Sequence, residues 1–263
     1  MNRFNLLINA LLLVFPTITI TEELDIPDPS RYLYNLGIDQ LKIGNPDSAM
    51  SLFHRSAKLD STFPWVYVGL ANAYYAKGDL ESSLVSNSKA LFLDSTLVEP
   101  AINIGKIYFE LGRYPEAINQ LKSLYKRYPH ILTINLLLGQ SYFYLEEYDS
   151  AEYYYTRSLN LTKTSPEVWL SIGILDRTKG NYERALFCFQ KALEFAPNSV
   201  IIYHNIACTY ALKGENKKAI DEIKLIIKLD AHYAENIKTD PCFVNLSQKK
   251  EFKKLFKEKK DKR

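Results

Sequence analysis

The chain has 263 residues, 47% of them hydrophobic and 24% charged, a composition that excludes an intrinsically disordered protein and can supply a substantial core. Its 33 basic and 30 acidic residues give a formal net charge of +3, too small to indicate a nucleic-acid partner. The positive excess is local, because residues 249–263 alone carry a net charge of +6.

The first predicted element is an apolar N-terminal segment. Arg3 precedes a largely apolar run from Phe4 to Ile20, the layout of a secretory signal peptide. We predict cleavage after Thr21, which makes residues 1–21 the signal and 22–29 a linker. An uncleaved membrane anchor is the alternative, although the run falls short of the ~20 residues that span a bilayer comfortably. We therefore expect an exported protein of the periplasm or cell envelope, and the usage of Lys, Ile, Asn and Tyr favours a bacterial source.

A period of 34 residues runs without insertion from Ser30 to Tyr233. It defines six repeats: 30–63, 64–97, 98–131, 132–165, 166–199 and 200–233. Position 8 is always Gly or Ala: Gly37, Ala71, Gly105, Gly139, Gly173 and Ala207. Position 20 is always Ala or Ser: Ala49, Ser83, Ala117, Ala151, Ala185 and Ala219. Small residues at both positions let two helices approach closely, which predicts a helical hairpin in every repeat.

Turn and cap residues support the hairpins. Position 15 is glycine in five repeats, where it can adopt the left-handed conformation that ends a helix, and Glu146 is the exception. In the fifth repeat, Ser165, Pro166 and Glu167 form an N-cap, a first-turn proline and an acid favoured by the helix dipole. Each repeat is thus predicted to contain two helices joined by a short turn.

Residues 234–263 are predicted to form a C-terminal cap with a basic tail. A seventh repeat would begin at Ala234, but Asp240 and Pro241 interrupt its first helix. An apolar stripe then follows at Phe252, Leu255 and Phe256, with lysines opposite. A stacked array needs such a cover over its last hairpin.

No pattern indicates catalysis, a metal or a cofactor. Cys188, Cys208 and Cys242 lack the close spacing of zinc or redox motifs and are expected to be small core residues. The four histidines are scattered. Asp176 and Arg177 are interpreted as a structural ion pair, because no nucleophile, base and orienting group occur together in a recognisable order. We predict that the protein is not an enzyme.

The repeat pattern resembles that of the tetratricopeptide repeat family over 204 of the 263 residues. The fifth repeat matches it best, through Trp169, Ile172, Gly173, Gly180, Tyr182, Ala185, Phe189, Ala192 and Pro197. Gln40 and Asp176 depart from the tyrosine usual at position 11. The resemblance implies an all-α, right-handed α-solenoid of six helical hairpins with a C-terminal capping helix. It also implies a concave groove, lined by the first helices, that receives a peptide or a partner helix.

Spacing on the first helices selects the residues expected to line that groove. They are Tyr34, Trp65, Asn72, Tyr75, Asn103, Lys106, Phe109, Gln140, Phe143, Arg177 and His204. Aromatic rings in this set favour apolar anchors on a protein partner. Packing between neighbouring first helices is the other interpretation of any single ring.

These observations predict a non-catalytic scaffold or adaptor for protein partners, without a cofactor. The alternative is a carrier that shelters a hydrophobic ligand, or a peripheral membrane factor. The lysines of residues 249–263 fit a solvated capping helix, and the alternative interpretation is a contact with anionic lipid.

Overall fold

Regular structure is entirely helical in the computed structural model of the protein, which describes residues 28–256. The predicted signal peptide, most of the linker and the last seven residues of the tail lie outside the described residues. The chain divides into an N-terminal unit that ends at Leu111 and a C-terminal unit that begins at Gly112. The predicted all-α class with tandem hairpins is confirmed.

Residues 28–111, the described part of the N-terminal unit, contain five helices. They are α1 (Pro29–Lys42), α2 (Pro46–Leu59), α3 (Pro64–Ala76), α4 (Leu80–Leu93) and α5 (Val98–Glu110). Its core is built around Phe53 of α2, which is fully buried with Val66 and Leu70 of α3. Full burial of a side chain of this size contributes roughly 1.5 to 3 kcal/mol. This core fixes the first helices α1 and α3, which carry four of the seven N-terminal candidate residues.

The C-terminal unit, described as far as residue 256, contains seven long helices and a cap. The long helices are α6 (Tyr114–Arg127), α7 (Leu132–Tyr144), α8 (Tyr148–Leu161), α9 (Pro166–Thr178), α10 (Tyr182–Phe195), α11 (Val200–Leu212) and α12 (Asn216–Leu229). The cap comprises two 3-10 turns, Ala231–Tyr233 and Pro241–Phe243, and the short helices α13 (Ala234–Thr239), α14 (Val244–Ser247) and α15 (Lys250–Leu255). The expected single capping helix is therefore divided into short pieces.

In the first, fourth and fifth hairpins, the glycine at position 8 meets an aromatic ring from position 24 of the same hairpin. A Cβ added to Gly139 would lie 2.5 Å from Cε1 of Tyr155, and one added to Gly173 would lie 2.4 Å from Cε1 of Phe189. Gly37 meets Phe53 in the same way, at 2.5 Å. The repeated glycine thus makes room for a ring that fills the space between the two helices.

The turns between first and second helices use a left-handed residue at position 15. Gly180 has φ +80°, and Glu146 adopts the same region with φ +61° although it has a side chain. The predicted N-cap is also present, since the Ser165 hydroxyl accepts a hydrogen bond from the Val168 amide at 3.4 Å. The turn therefore requires the left-handed conformation at position 15 even where the residue is Glu146, and the backbone is strained there.

Replacing Glu146 by glycine is expected to raise the free energy of unfolding by about 0.5 to 1 kcal/mol. The change relieves the left-handed strain, and the greater freedom of glycine in the unfolded chain offsets part of that gain. Urea denaturation measures the difference. Gly180→Ala is the matched control and should lower stability by about 1 kcal/mol. A less stable Glu146→Gly variant would show that the side chain makes a contact worth more than the strain.

The cap is buried on the sixth hairpin and is covalently attached to it. Phe243, Leu246 and Phe252 are buried with Ile223 and Ile226 of α12, which confirms a C-terminal cap. Leu255 and Phe256 pack against the same cluster. The apolar stripe seen in the sequence therefore has a structural use.

The expectation that all three cysteines are unpaired core residues is wrong for two of them. Cys208 of α11 and Cys242 of the cap form a disulfide, with Cα atoms 5.3 Å apart, whereas Cys188 is free and buried. The two are separated by 34 residues, one full period. They occupy equivalent positions in successive repeats, which stacking brings together although the sequence spacing is long.

Candidate functional site

All eleven predicted groove residues lie on first helices of the hairpins. Seven belong to the N-terminal unit: Tyr34, Trp65, Asn72, Tyr75, Asn103, Lys106 and Phe109. Four belong to the C-terminal unit: Gln140, Phe143, Arg177 and His204. Trp65 is 37% exposed and the other ten are half-buried. We call the surface that they occupy the first-helix face of each unit.

The structure brings Tyr34 and Trp65 to one open cleft of about 450 Å³ in the N-terminal unit. Arg31, Asn35 and Phe63 complete its lining. The Tyr34 ring meets the edge of Phe63 at 5.3 Å between centroids, and the Arg31 guanidinium lies 5.3 Å above the Phe63 ring. The cleft therefore combines aromatic walls with an amide and a cation, which suits an apolar side chain next to polar peptide backbone.

The Tyr34 hydroxyl remains protonated in this setting. Partial burial and, second, the negative charge of Glu99 raise the pKa of Tyr34 above its ordinary value. A protonated phenol can donate a hydrogen bond to a carbonyl or carboxylate oxygen. Tyr34 thus offers both a ring and a donor to a bound segment.

A second group on the N-terminal first-helix face joins α3 to α5. The Lys106 ammonium lies 4.3 Å from the centre of the Tyr75 ring, and the Tyr75 hydroxyl donates to Glu110. Lys106 also lies 3.8 Å from a Glu110 oxygen. Burial, followed by the hydrogen bond to Glu110, raises the pKa of Tyr75. These three side chains satisfy one another, so they support the face and are less available to a partner than the cleft at Trp65.

In the C-terminal unit, the predicted residues Arg177 and His204 bind other parts of the same unit. Nη1 of Arg177 donates to Oδ1 of Asn205 at 2.9 Å. Nε2 of His204 lies 2.8 Å from Oδ2 of Asp240, and its ring meets the edge of Phe243 at 5.4 Å. The His204 side chain is 13% exposed. His204 therefore attaches the cap to α11.

Burial disfavours the protonated form of His204. Burial is the main cause that lowers the pKa of His204, and Arg177 lowers it further, while Asp240 raises it. Because the folded pKa lies below that of an unfolded histidine, the stability is fully present above the ordinary histidine pKa and is lost as the pH falls through the lower, folded pKa. The contact is thus made by the neutral ring at pH 7.

The interpretation of Asp176 and Arg177 as an ion pair is wrong. Oδ2 of the buried Asp176 lies 3.3 Å from Nε of Arg184 on α10, whereas Arg177 binds Asn205. Adjacent helical residues point in different directions, so Asp176 faces α10 and Arg177 faces α11. Burial, the largest cause, raises the pKa of Asp176 despite Arg184.

Cys188, the free cysteine, lies next to Asp176 without the features of a nucleophile. Its Sγ is 4.0 Å from Oδ2 of Asp176. Burial and the Asp176 charge raise the pKa of the Cys188 thiol to about 11. The thiol is therefore protonated at neutral pH, whereas a reactive cysteine requires a thiolate.

Two further features of the described residues bear on the site. Between residues 28 and 256, no group of three or more His, Cys, Asp and Glu side chains is placed to hold a metal ion. Within the same range, none of the helices has the length and apolar character to cross a membrane.

Comparison with known families then defines the repeats. Sequence models of the tetratricopeptide repeat match residues 102–166, 166–199 and 188–221. Residues 102–221 therefore contain tetratricopeptide repeats. Among curated proteins, it is similar to the TPR repeat-containing protein MJ1428 of Methanocaldococcus jannaschii, at 26% identity over 212 residues. The match covers 80% of this chain and 33% of that relative, so the chain spans about a third of its length.

Solved structures of tetratricopeptide repeat proteins show the same fold. A protein from Parabacteroides merdae gives a TM-score of 0.66 at 22% identity, covering 86% of this chain and 97% of that one. The Cut9–Hcn1 hetero-tetramer of the APC/C gives a TM-score of 0.71 at 18% identity, covering 92% of this chain and 46% of that one. Proteins built on these repeats are protein-interaction modules, which supports a protein or peptide as the kind of partner.

The predicted set missed three residues of the cleft. Arg31 lies at position 2, Asn35 at position 6 and Phe63 at the last position of the first 34-residue repeat, and all three were left out of that set. Phe63 directly precedes Pro64, the first residue of α3. An apolar residue just before a helix start commonly packs on the first turn, and this signal could have identified it.

Proposed function

We propose that the protein is a non-catalytic, exported scaffold that binds a peptide or helix of a partner protein on its first-helix face. The cleft at Tyr34 and Trp65 is the observation that carries this proposal, because two predicted residues from different helices line one open space. Exposed Trp and Tyr commonly provide the hot spots of protein interfaces. The tetratricopeptide repeats support the same class of function.

The chemistry of the cleft indicates how a segment would bind. An apolar side chain would enter between Tyr34 and Trp65, while Asn35 and Arg31 would bond the adjacent peptide carbonyls or a carboxylate. Arg31 is already paired with Asp28 at 2.9 Å, which reduces the net positive charge of the rim. Apolar burial therefore dominates over charge at this site.

A pull-down in mild salt tests the class of partner. The mature chain, immobilised through its C-terminus, should retain a defined protein from an envelope extract of the native host. Recovery of lipid alone would favour the alternative of a hydrophobic-ligand carrier or a peripheral membrane factor. A Trp65→Ala variant of the same chain is the control, because it should retain less of the partner protein if that protein binds in the cleft.

Export is supported by the Cys208–Cys242 disulfide. Disulfides persist in oxidising compartments such as the periplasm and are rare in the cytosol. The disulfide therefore agrees with the signal peptide proposed for residues 1–21, which lies outside the described residues.

Removal of the first 21 residues is the expected result of export. N-terminal sequencing of protein from the native host should begin near Glu22. A chain that retains Met1 and sediments with membranes would instead support the uncleaved anchor. A full-length chain in the cytosol, with Cys208 and Cys242 reduced, would contradict export.

A further inference from the structure

A second cleft in the N-terminal unit lies away from the first-helix cleft. It has a volume of about 660 Å³ between α2, α3 and α4. Leu70 and Tyr74 of α3, Ala57 of α2 and Val85 of α4 give it a mainly apolar wall. We call it the second-helix cleft, because α2 and α4 are the second helices of their hairpins.

A small residue keeps this cleft open. Ser86, at position 23 of the second repeat, lines it, whereas the corresponding residues of four other repeats are larger: Leu52, Gln120, Tyr154 and Glu222. The fifth repeat also has a small residue there, Cys188, which lines a cleft of about 340 Å³ at the corresponding place in the C-terminal unit. Each of these two clefts therefore occurs in a repeat that has a small residue at position 23.

Charge distinguishes the second-helix cleft from its C-terminal counterpart. Its basic lining residues are His54, Lys58 and Lys89, and the lining contains no carboxylate. None of the ion pairs found within residues 28–256 involves Lys58 or Lys89. The C-terminal cleft has both signs, since Glu152 and Arg184 form an ion pair at 3.4 Å beside it. The second-helix cleft is thus apolar inside with an uncompensated basic rim.

Exposed apolar side chains extend from the cleft along α4. Val85 is 67% exposed and Phe92 is 81% exposed. Lys89 lies between Val85 and Phe92 in the sequence. Its ammonium is 5.1 Å from the centre of the Phe92 ring and 5.9 Å from the centre of the Tyr67 ring. Apolar residues that remain this exposed next to a cleft mark an interaction surface. Lys89 is held over the rings and can still accept an anionic partner.

We propose that the second-helix cleft is a separate protein-binding surface that takes an acidic segment with a bulky apolar residue. The apolar side chain would enter the cleft against Leu70 and Val85, and flanking Asp or Glu residues would pair with Lys58 and Lys89. Opposite charge on a partner steers encounter and fixes register, while the buried apolar group supplies most of the affinity. The surface goes beyond the first-helix face and does not depend on it.

A labelled synthetic peptide with a central Phe flanked by Asp and Glu on both sides tests the proposal by fluorescence anisotropy with the mature chain. We expect saturable binding that Val85→Glu weakens at least about tenfold and that Lys58→Glu with Lys89→Glu weakens to a similar degree. Peptides with Lys in place of the acids, or Ala in place of Phe, should bind at least about tenfold more weakly.

Matched variants separate this surface from others. Ile201→Glu places the same charge on an exposed apolar residue of the C-terminal unit, and Lys249→Glu with Lys253→Glu reverses two charges in the cap. Both should bind the peptide as wild type does, and so should the double variant Tyr34→Ala with Trp65→Ala.

The proposal is overturned if the acidic peptide does not bind, or if the peptide with Lys in place of the acids binds equally well. Selective loss in the Tyr34 and Trp65 variant would also overturn it, because the peptide would then occupy the first-helix face.

Discussion

Gly139→Leu is expected to lower the free energy of unfolding by about 3 kcal/mol. Even the first added carbon would lie 2.5 Å from Cε1 and 2.6 Å from Cδ1 of Tyr155. Tyr155 is 3% exposed, so its ring has no free space to enter and the two helices of the hairpin must separate. Overpacking of a core typically costs ~1 to 3 kcal/mol, and the larger side chain here belongs at the upper end.

Chemical denaturation followed by circular dichroism measures this loss. Thr133→Leu is the control, because Thr133 is exposed on the same helix, α7. Ala151→Leu, at a fully buried position of α8, should be destabilising as well. Unchanged denaturation midpoints for Gly139→Leu and Ala151→Leu would place the contact between the two helices elsewhere.

Loss of the disulfide is expected to destabilise the end of the array by about 3 to 4 kcal/mol. The bond closes a loop between residues 34 apart, and a cross-link over a loop of that length reduces the entropy of the unfolded chain by this amount. In a repeat array each hairpin contacts mainly its neighbours, so the effect should be confined to α11, α12 and the cap. Cys242→Ala is the preferred change, since Cys242 is only half-buried.

Hydrogen exchange resolves this prediction along the chain. Amides of α13 to α15 should exchange faster in Cys242→Ala, while those of α7 and α8 should not change. Reductant should reproduce the effect in the wild type and add nothing to the variant. Three titratable thiols in protein prepared from an oxidising compartment would contradict the disulfide.

Most of the fold could be predicted from the sequence because it is periodic. Residues that recur every 34 positions meet within the first, fourth and fifth hairpins, as Gly173 and Phe189 do. The disulfide was missed because Cys208 and Cys242 are distant in sequence and become neighbours only through stacking. The short pieces of the cap lack a period, so the interruption at Pro241 and the apolar stripe at Phe252, Leu255 and Phe256 were predictable, but the division into short helices was not.

The candidate site was less predictable, because helical spacing shows on which face of its helix a residue lies but not which residues of other helices contact it. His204 was placed on the correct helix, yet its partner Asp240 comes from the cap, 36 residues later. Tyr34 and Trp65 share a cleft because Phe63 and Asn35 complete it, which no single helix pattern encodes. The basic rim of the second-helix cleft likewise combines residues from α2 and α4.

The most direct test of the proposed scaffold is to measure how tightly its purified partner binds a double variant that carries Tyr34→Ala and Trp65→Ala. Two variants serve as controls: Lys253→Gln with Lys254→Gln in the cap, and Phe195→Ala, which removes an exposed ring from α10. If both rings are hot spots, we expect a loss of at least 3 kcal/mol, over a hundredfold in Kd, with retained helicity. The controls should bind normally. Binding at the first-helix face would be contradicted if the folded Tyr34→Ala, Trp65→Ala variant still bound the partner while the Lys253→Gln, Lys254→Gln variant did not.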